Sequence, residues 1–342
     1  MTMSPTIDIH AHLVAPALIE ELARNPAAYG VRTEPGADGH PRLGFLDRPL
    51  YPRPLFPALT DLTLRLPQME ADGIALQLIS TWTDIAGDDL PVREGVRWAR
   101  LQNDTLIEAA SEYPGLFEAM GTLPMQHAPS AIAELERLAS VGVRSVQIGT
   151  HANGVELDHE SLDPLWRRIA DLGIFVMLHP PAHPVGSDRT GDYFLNNLIG
   201  FTTDTTIAGA RLIFGGVMSR YPSLKVCLVH GGGFLPYQIG RMDRGFEAHP
   251  ACSAKLHRKP SDLLRAFYFD TITHDAAALD YLIGRVGADR LVYGTDTPFE
   301  MLDAHGLERI AASAVLSESD RQAIRAGNAE AALGIAADAL QS

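Results

Sequence analysis

Short apolar runs alternate along the chain with segments in which apolar residues recur every three or four positions. The runs are Thr6–His12, Ile74–Ser80, 118–123, Ser145–Gly149, Phe175–His179, 225–230, 266–270 and 290–293. Their length and their Val, Ile and Leu content suit strands buried on both faces, as a parallel sheet requires. Eight such runs separated by helical segments predict an α/β protein, a (β/α)8 TIM barrel. Helical periodicity is clear over 92–112, 130–140, 162–172, 235–244, Ala276–Val286 and 317–333. Two stretches interrupt the alternation. Residues 25–66, rich in Gly, Pro and Arg, read as a long irregular insertion after the first strand, and 249–260 as a second one after the sixth. Excursions of that length in a compact domain usually serve as lids or binding loops. With no fixed-period repeat, low-complexity tract or linker, residues 1–342 are expected to form a single domain.

Composition narrows the function. Apolar residues make up 46% of the 342 positions and charged residues 20%, enough to bury a large core. The formal charge of −14, from 28 Lys+Arg against 42 Asp+Glu, argues against a nucleic-acid partner, because phosphate binding needs a basic surface. An anionic substrate would meet a repulsive overall field, so a metal ion or a few arginines must supply local attraction. Cys227 and Cys252 are the only cysteines, and Cys227 lies in an apolar run, which suits a reduced intracellular protein. No apolar run approaches the roughly 20 residues of a membrane span. Asp8 and His10 follow so closely on Met1 that no signal sequence is expected, and the protein reads as cytoplasmic.

Candidate chemistry gathers at the ends of the runs. His10 and His12, two apart in a strand, point the same way and can share an ion, although such a pair also occurs in ordinary buried strands. His179 ends the fifth run, His230 ends the sixth and Asp296 follows the eighth. In a (β/α)8 barrel the C-terminal strand ends converge on one face, so these five residues would meet although scattered in sequence.

This order, His-x-His on strand one, His on strands five and six and Asp after strand eight, resembles the amidohydrolase superfamily. Within it the chain more closely resembles the family of aminocarboxymuconate-semialdehyde decarboxylase and its gamma-resorcylate and carboxyvanillate decarboxylase relatives. Supporting motifs are Arg53-Pro54 ahead of 66–73, His230-Gly231-Gly232-Gly233, Gly240-Arg241-Met242-Asp243 and Gly294-Thr295-Asp296-Thr297-Pro298-Phe299. Strand four carries no lysine, and the chain has only Lys225, Lys255 and Lys259, so a carbamylated lysine bridging two metals is not expected. The resemblance implies one divalent ion, Zn²⁺ or alternatively Mn²⁺, on His10, His12, His179 and Asp296, with Asp296 also part of the catalytic set. It implies His230 as the acid/base; a fifth ligand or a supporting residue is the alternative.

Arg53 and Arg241 match family positions that hold substrate carboxylates, Arg241 from a neighbouring subunit, which implies a homodimer. Surface ion pairing is the competing role for both. Tyr193 falls where the aminocarboxymuconate enzyme has a tryptophan, and an arginine of that family near His249 is missing. A phenol in place of an indole adds a hydrogen-bonding group suited to a hydroxylated ring. Trp82, His151 and Phe299 are candidate pocket walls. The activity implied is non-oxidative decarboxylation of a small anionic aromatic, heteroaromatic or muconate-type acid. A metal-dependent hydrolase or hydratase is the enzymatic alternative, and an inactive metal-binding scaffold the non-enzymatic one.

Overall fold

The computed structural model describes residues 5–45 and 48–335. Eight parallel strands carry the fold: β1 Thr6–His12, β2 Ile74–Ser80, β3 Phe117–Ala119 continued by Gly121–Thr122, β4 Ser145–Gly149, β5 Phe175–His179, β6 Lys225–Leu228, β7 Phe267–Asp270 and β8 Leu291–Val292. One ladder joins β1, β2 and the first half of β3, and another runs from its second half through β4 to β8. Backbone bonds close the circuit between the last strand and the first. Ile9 donates to the Tyr293 carbonyl at 3.0 Å, Asp296 to that of His10 at 2.8 Å, and His12 to that of Thr297 at 2.8 Å. A parallel bridge pairs Ala11 with Thr297. The expected TIM barrel is therefore present.

Two apolar layers stabilise it. Ile9, Leu78, Phe175, Met177, Cys227 and Val292, from five strands, share one buried cluster with Ala329 and Leu333 of the last helix. A larger cluster packs other strand residues, such as Val176, Leu228 and Phe269, against Leu135, Trp166, Leu212 and Leu279 of surrounding helices. The last helix, Asn328–Leu333, lies near the strand starts, where Lys225 donates to the Ala332 carbonyl at 2.7 Å and Arg325 to Thr6 Oγ1 at 2.8 Å. The site therefore has the opposite end of the barrel. Cys227 and Cys252 are unpaired thiols. Among the described residues no helix is long and apolar enough to cross a membrane.

Several expectations shift. The expected helix over 317–333 is three pieces, Glu318–Gln322, a π-helical turn Ala323–Gly327 and Asn328–Leu333. The helix Thr202–Phe214 went unread, because its threonines give no apolar period and are poor helix formers. Their hydroxyls instead bond back to carbonyls four residues earlier, Thr203 to Ile199 at 2.7 Å and Thr206 to Thr202 at 2.8 Å. Nor is the first insertion wholly irregular: it holds an antiparallel hairpin, Val31–Pro35 with Pro41–Phe45, and the short helix Pro57–Thr60.

Candidate metal centre and active site

Asp8, fully buried in β1, organises the rim from below. Its carboxylate accepts from Gln77 Nε2 at 2.8 Å, Thr295 Oγ1 at 2.7 Å, and the amides of His10 and Thr295 at 3.1 Å each. These bonds lock β1 to β2 and to the segment carrying Asp296. Both Asp296 (φ +62°) and His230 (φ +56°) have left-handed backbones, which L residues adopt at a cost and which recur at functional sites. Gly232 and Gly233 let the chain after His230 pass close to its neighbours. A Cβ on Gly232 would lie 2.6 Å from the Phe269 ring, and one on Gly233 would lie 2.1 Å from the Thr202 carbonyl oxygen.

The five side chains expected to meet do so. The His10 ring centroid lies 5.2 Å from that of His12, 5.1 Å from His179 and 5.5 Å from His230. Asp296 Oδ1 is 3.2 Å from His12 Nε2 and 3.5 Å from His10 Nε2, while its Oδ2 is 3.8 Å from His230 Nε2. One donor atom each from His10, His179, His230 and Asp296 also lies within 4.8 Å of the others, so distance alone does not separate His230 from the rest.

Hydrogen bonding does. His10 Nδ1 is 2.9 Å from Asp270 Oδ2, His12 Nδ1 is 3.0 Å from the Thr81 carbonyl, and His179 Nδ1 is 2.8 Å from the Pro180 carbonyl. Each partner can only accept, so each ring carries its proton on Nδ1 and turns a bare Nε2 lone pair inward. Those three Nε2 atoms and Asp296 Oδ1 are buried without any hydrogen-bond partner. Buried polar atoms are normally satisfied, and four orphans aimed at one point fit a cation. His230 differs: no acceptor fixes its ring, its Nδ1 is unpartnered, and it stacks on Phe201 at 6.4 Å between centroids.

The electrostatics agree for His12, His179 and Asp296, while His10 is drawn the other way by its carboxylate neighbours. Burial pushes the His12 ring below its ordinary pKa, and burial with positively charged histidine neighbours holds His179 well below. Burial would lower His10 too, but Asp296 and Asp270 outweigh it and raise it. Burial would raise Asp296, yet the surrounding histidines hold its carboxyl well below the usual range. An ionised carboxylate beside imidazole lone pairs is the state a divalent ion binds.

A cavity of about 420 Å³ opens on this cluster, lined by His179 and Asp296 and walled by Trp82, Phe299, Arg53, Asp84, Phe194 and Phe201. Phe299 joins the wall to the cluster, its ring 5.3 Å from His12 and 6.2 Å from Trp82. Arg53 lies over Phe299 at 5.1 Å, with its guanidinium engaged by Glu300 at 2.5 Å. A more apolar cleft of about 590 Å³ on the His230 side shares Asn197, Phe201, Asp296 and Met301 with it.

Three expected contacts are not in the cavity. Tyr193 is 88% exposed, because its left-handed backbone (φ +57°) turns it outward and presents Phe194 instead. His151 lines an adjoining cleft with Asp84, Asp88 and His183. Arg241 lies exposed on the helix Leu235–Ala248 and lines neither cavity. Sequence reading missed Asp270, Glu300 and Asp84. Asp270 ends its strand as His179 does, a positional signal that was available.

An amidohydrolase family model matches residues 7–335. The chain belongs to the amidohydrolase family. Among curated amidohydrolase relatives, 2-amino-3-carboxymuconate-6-semialdehyde decarboxylase from Dictyostelium discoideum is 35% identical over 277 residues, covering 80% of this chain and 77% of its own. The structure of 5-carboxyvanillate decarboxylase from Sphingomonas paucimobilis superposes with a TM-score of 0.81 at 25% identity, covering 98% of this chain and all of that one. A dihydroxybenzoic acid decarboxylase from Polaromonas, solved with bound manganese, gives 0.77 at 24%, covering 97% and 98%.

The adjoining cleft yields a pH prediction. Burial, reinforced by Asp89, pushes the Asp88 carboxyl up to about 7. The folded chain then keeps a proton that the unfolded chain releases above an ordinary value of 3.8, so stability falls as pH rises from about 4 to about 7. Asp88→Asn removes that loss, and its gain in melting temperature over wild type should be larger at pH 8 than at pH 5. An equal difference at both would refute the assignment.

Proposed function

We propose that this amidohydrolase is a metal-dependent, non-oxidative decarboxylase of a small aromatic, heteroaromatic or muconate-type acid. The observation that carries the reading is the set of four buried, partnerless donor atoms beside a cavity that shares Phe201 and Asp296 with the cleft lined by the unfixed His230. His10, His12, His179 and Asp296 would hold one divalent ion. Three imidazoles and one carboxylate suit Zn²⁺ best, with Mn²⁺ its competitor. When bound, such an ion stabilises the negative charge that builds as the carbon–carboxylate bond weakens.

The chain's own residues supply the rest. Trp82 and Phe299 confine a flat ring and exclude water around it, and Arg53 faces its polar substituents. His230, free of any acceptor that would pin its tautomer, delivers a proton from Nε2 to the carbon bearing the carboxylate. The bond to the carboxylate then breaks, its electron pair restores the ring, carbon dioxide leaves, and His230 takes a new proton from water. Asp270 positions two elements at once: Oδ2 accepts from His10, and Oδ1 accepts from the Gly231 amide, fixing the turn after His230.

We also propose a homodimer. Tyr237, Tyr281, Phe234, Leu198 and Ile199 are exposed near the apolar cleft, and Arg241 sits one helical turn beyond Tyr237. Sedimentation should give twice the mass of one chain, and Tyr237→Glu should shift it toward one. A fully active monomer would refute this reading.

Catalysis is tested by trapping carbon dioxide during turnover of hydroxylated and amino-substituted aromatic acids, including pyridine carboxylates. Stoichiometric gas is expected, and a product formed without it would favour hydrolysis or hydration. His230→Asn should lower kcat by about 10²–10⁴-fold, the usual worth of a positioned proton donor. An unchanged kcat would remove His230 from the mechanism.

A further inference from the structure

The wall of the cavity away from the ion's ligands carries an unusual charge set. Arg53, the cation expected to clamp a second substrate carboxylate, is already engaged by Glu300 Oε2 at 2.5 Å. Asp84, in the turn Thr83–Ile85 after β2, lines the same cavity and has no hydrogen-bond or ion-pair partner among the described residues. The wall thus holds two carboxyl groups against one guanidinium. Even one further arginine from a second copy would only balance it.

An acid that lines both this aromatic-walled cavity and the adjoining cleft, with nothing to bond, is a poor neighbour for an anion and a ready acceptor for a donor. Ser187, Asn196 and Asn197, also on this lining, are neutral, and His183, which lines both this cavity and the adjoining cleft, forms no ion pair with Asp84 or Glu300. Burial pushes the Asp84 carboxyl up to about 6, with Arg53 opposing the shift, so it is largely ionised at neutral pH.

Resting on the decarboxylase reading, we propose that Asp84 and the Arg53–Glu300 pair make the cavity selective for monocarboxylic acids. The far end of such a substrate carries a hydrogen-bond donor, an amino group, a ring N–H or a hydroxyl, that Asp84 receives. A second carboxylate there is rejected. Asp84 is a specificity-determining residue, and Glu300 keeps Arg53 from acting as an anion clamp.

The test uses metal-loaded protein and 2-hydroxybenzoates matched except at one distal ring position, which bears an amino group, hydrogen or a carboxylate. Turnover is read as carbon dioxide, and affinity separately by calorimetry. Wild type should favour the amino over the carboxylate compound by about tenfold or more, the scale of one charge-assisted hydrogen bond. Asp84→Asn should lose that factor on the amino compound alone. Glu300→Gln, by freeing Arg53, should raise affinity for the dicarboxylate by about tenfold. Wild type binding the dicarboxylate as well as the amino compound, or Asp84→Asn weakening all three equally, would overturn the proposal. Melting temperatures confirm that each near-isosteric variant is folded. If no compound releases gas, the decarboxylase reading fails, while the affinity ratios still decide the role of the wall.

Discussion

Three imidazole nitrogens and one carboxylate oxygen, buried together with no hydrogen-bond partner, are the constraint around which this molecule is arranged. Desolvating such groups without compensation costs several kcal/mol in total, roughly 1–3 for each. The fold nevertheless takes care to leave them bare. Asp270 and the carbonyls of Thr81 and Pro180 each claim the opposite nitrogen of a ring, so that the vacant lone pairs point to one place. A divalent ion would offset that cost and turn it into binding energy.

That arrangement depends on the barrel. Closure between β8 and β1 brings Asp296 against His10, and the bonds to Asp8 hold the two segments in register. The last helix occupies the far end, leaving the C-terminal strand ends for chemistry. Above them the first insertion brings Arg53, and the turn after β2 brings Trp82 and Asp84, so the proposed substrate contacts come from loops while the proposed ligands come from strands or the residues just after them.

Much of this was legible in the sequence, for a physical reason. Strands buried on both faces must be continuous apolar runs, so the eight stood out, and polar residues at their ends were conspicuous against that background. Loop geometry was not legible. Whether Tyr193 or Phe194 faces the cavity depends on two consecutive left-handed residues, which no periodicity records. The engagement of Arg53 by Glu300, 247 residues away, is a tertiary fact. The helix Thr202–Phe214 was hidden because threonine signals strands, and only the hydroxyl bonds to its own carbonyls reconcile it with a helix. Asp270 shows the intermediate case: its position was visible, but its role appears only once His10 is seen beside it.

In the proposed site His12, and not His230, completes the ligand set. Metal equivalents per chain and affinity by chelator competition, compared between His12→Ala and His230→Ala, test it most directly. Wild type should hold one equivalent and His230→Ala should keep near wild-type affinity, while His12→Ala should bind more weakly by about a hundredfold or more, beyond the roughly 10–100-fold that loss of an outer partner of a ligand costs. Loss of the ion in His230→Ala with retention in His12→Ala would contradict it.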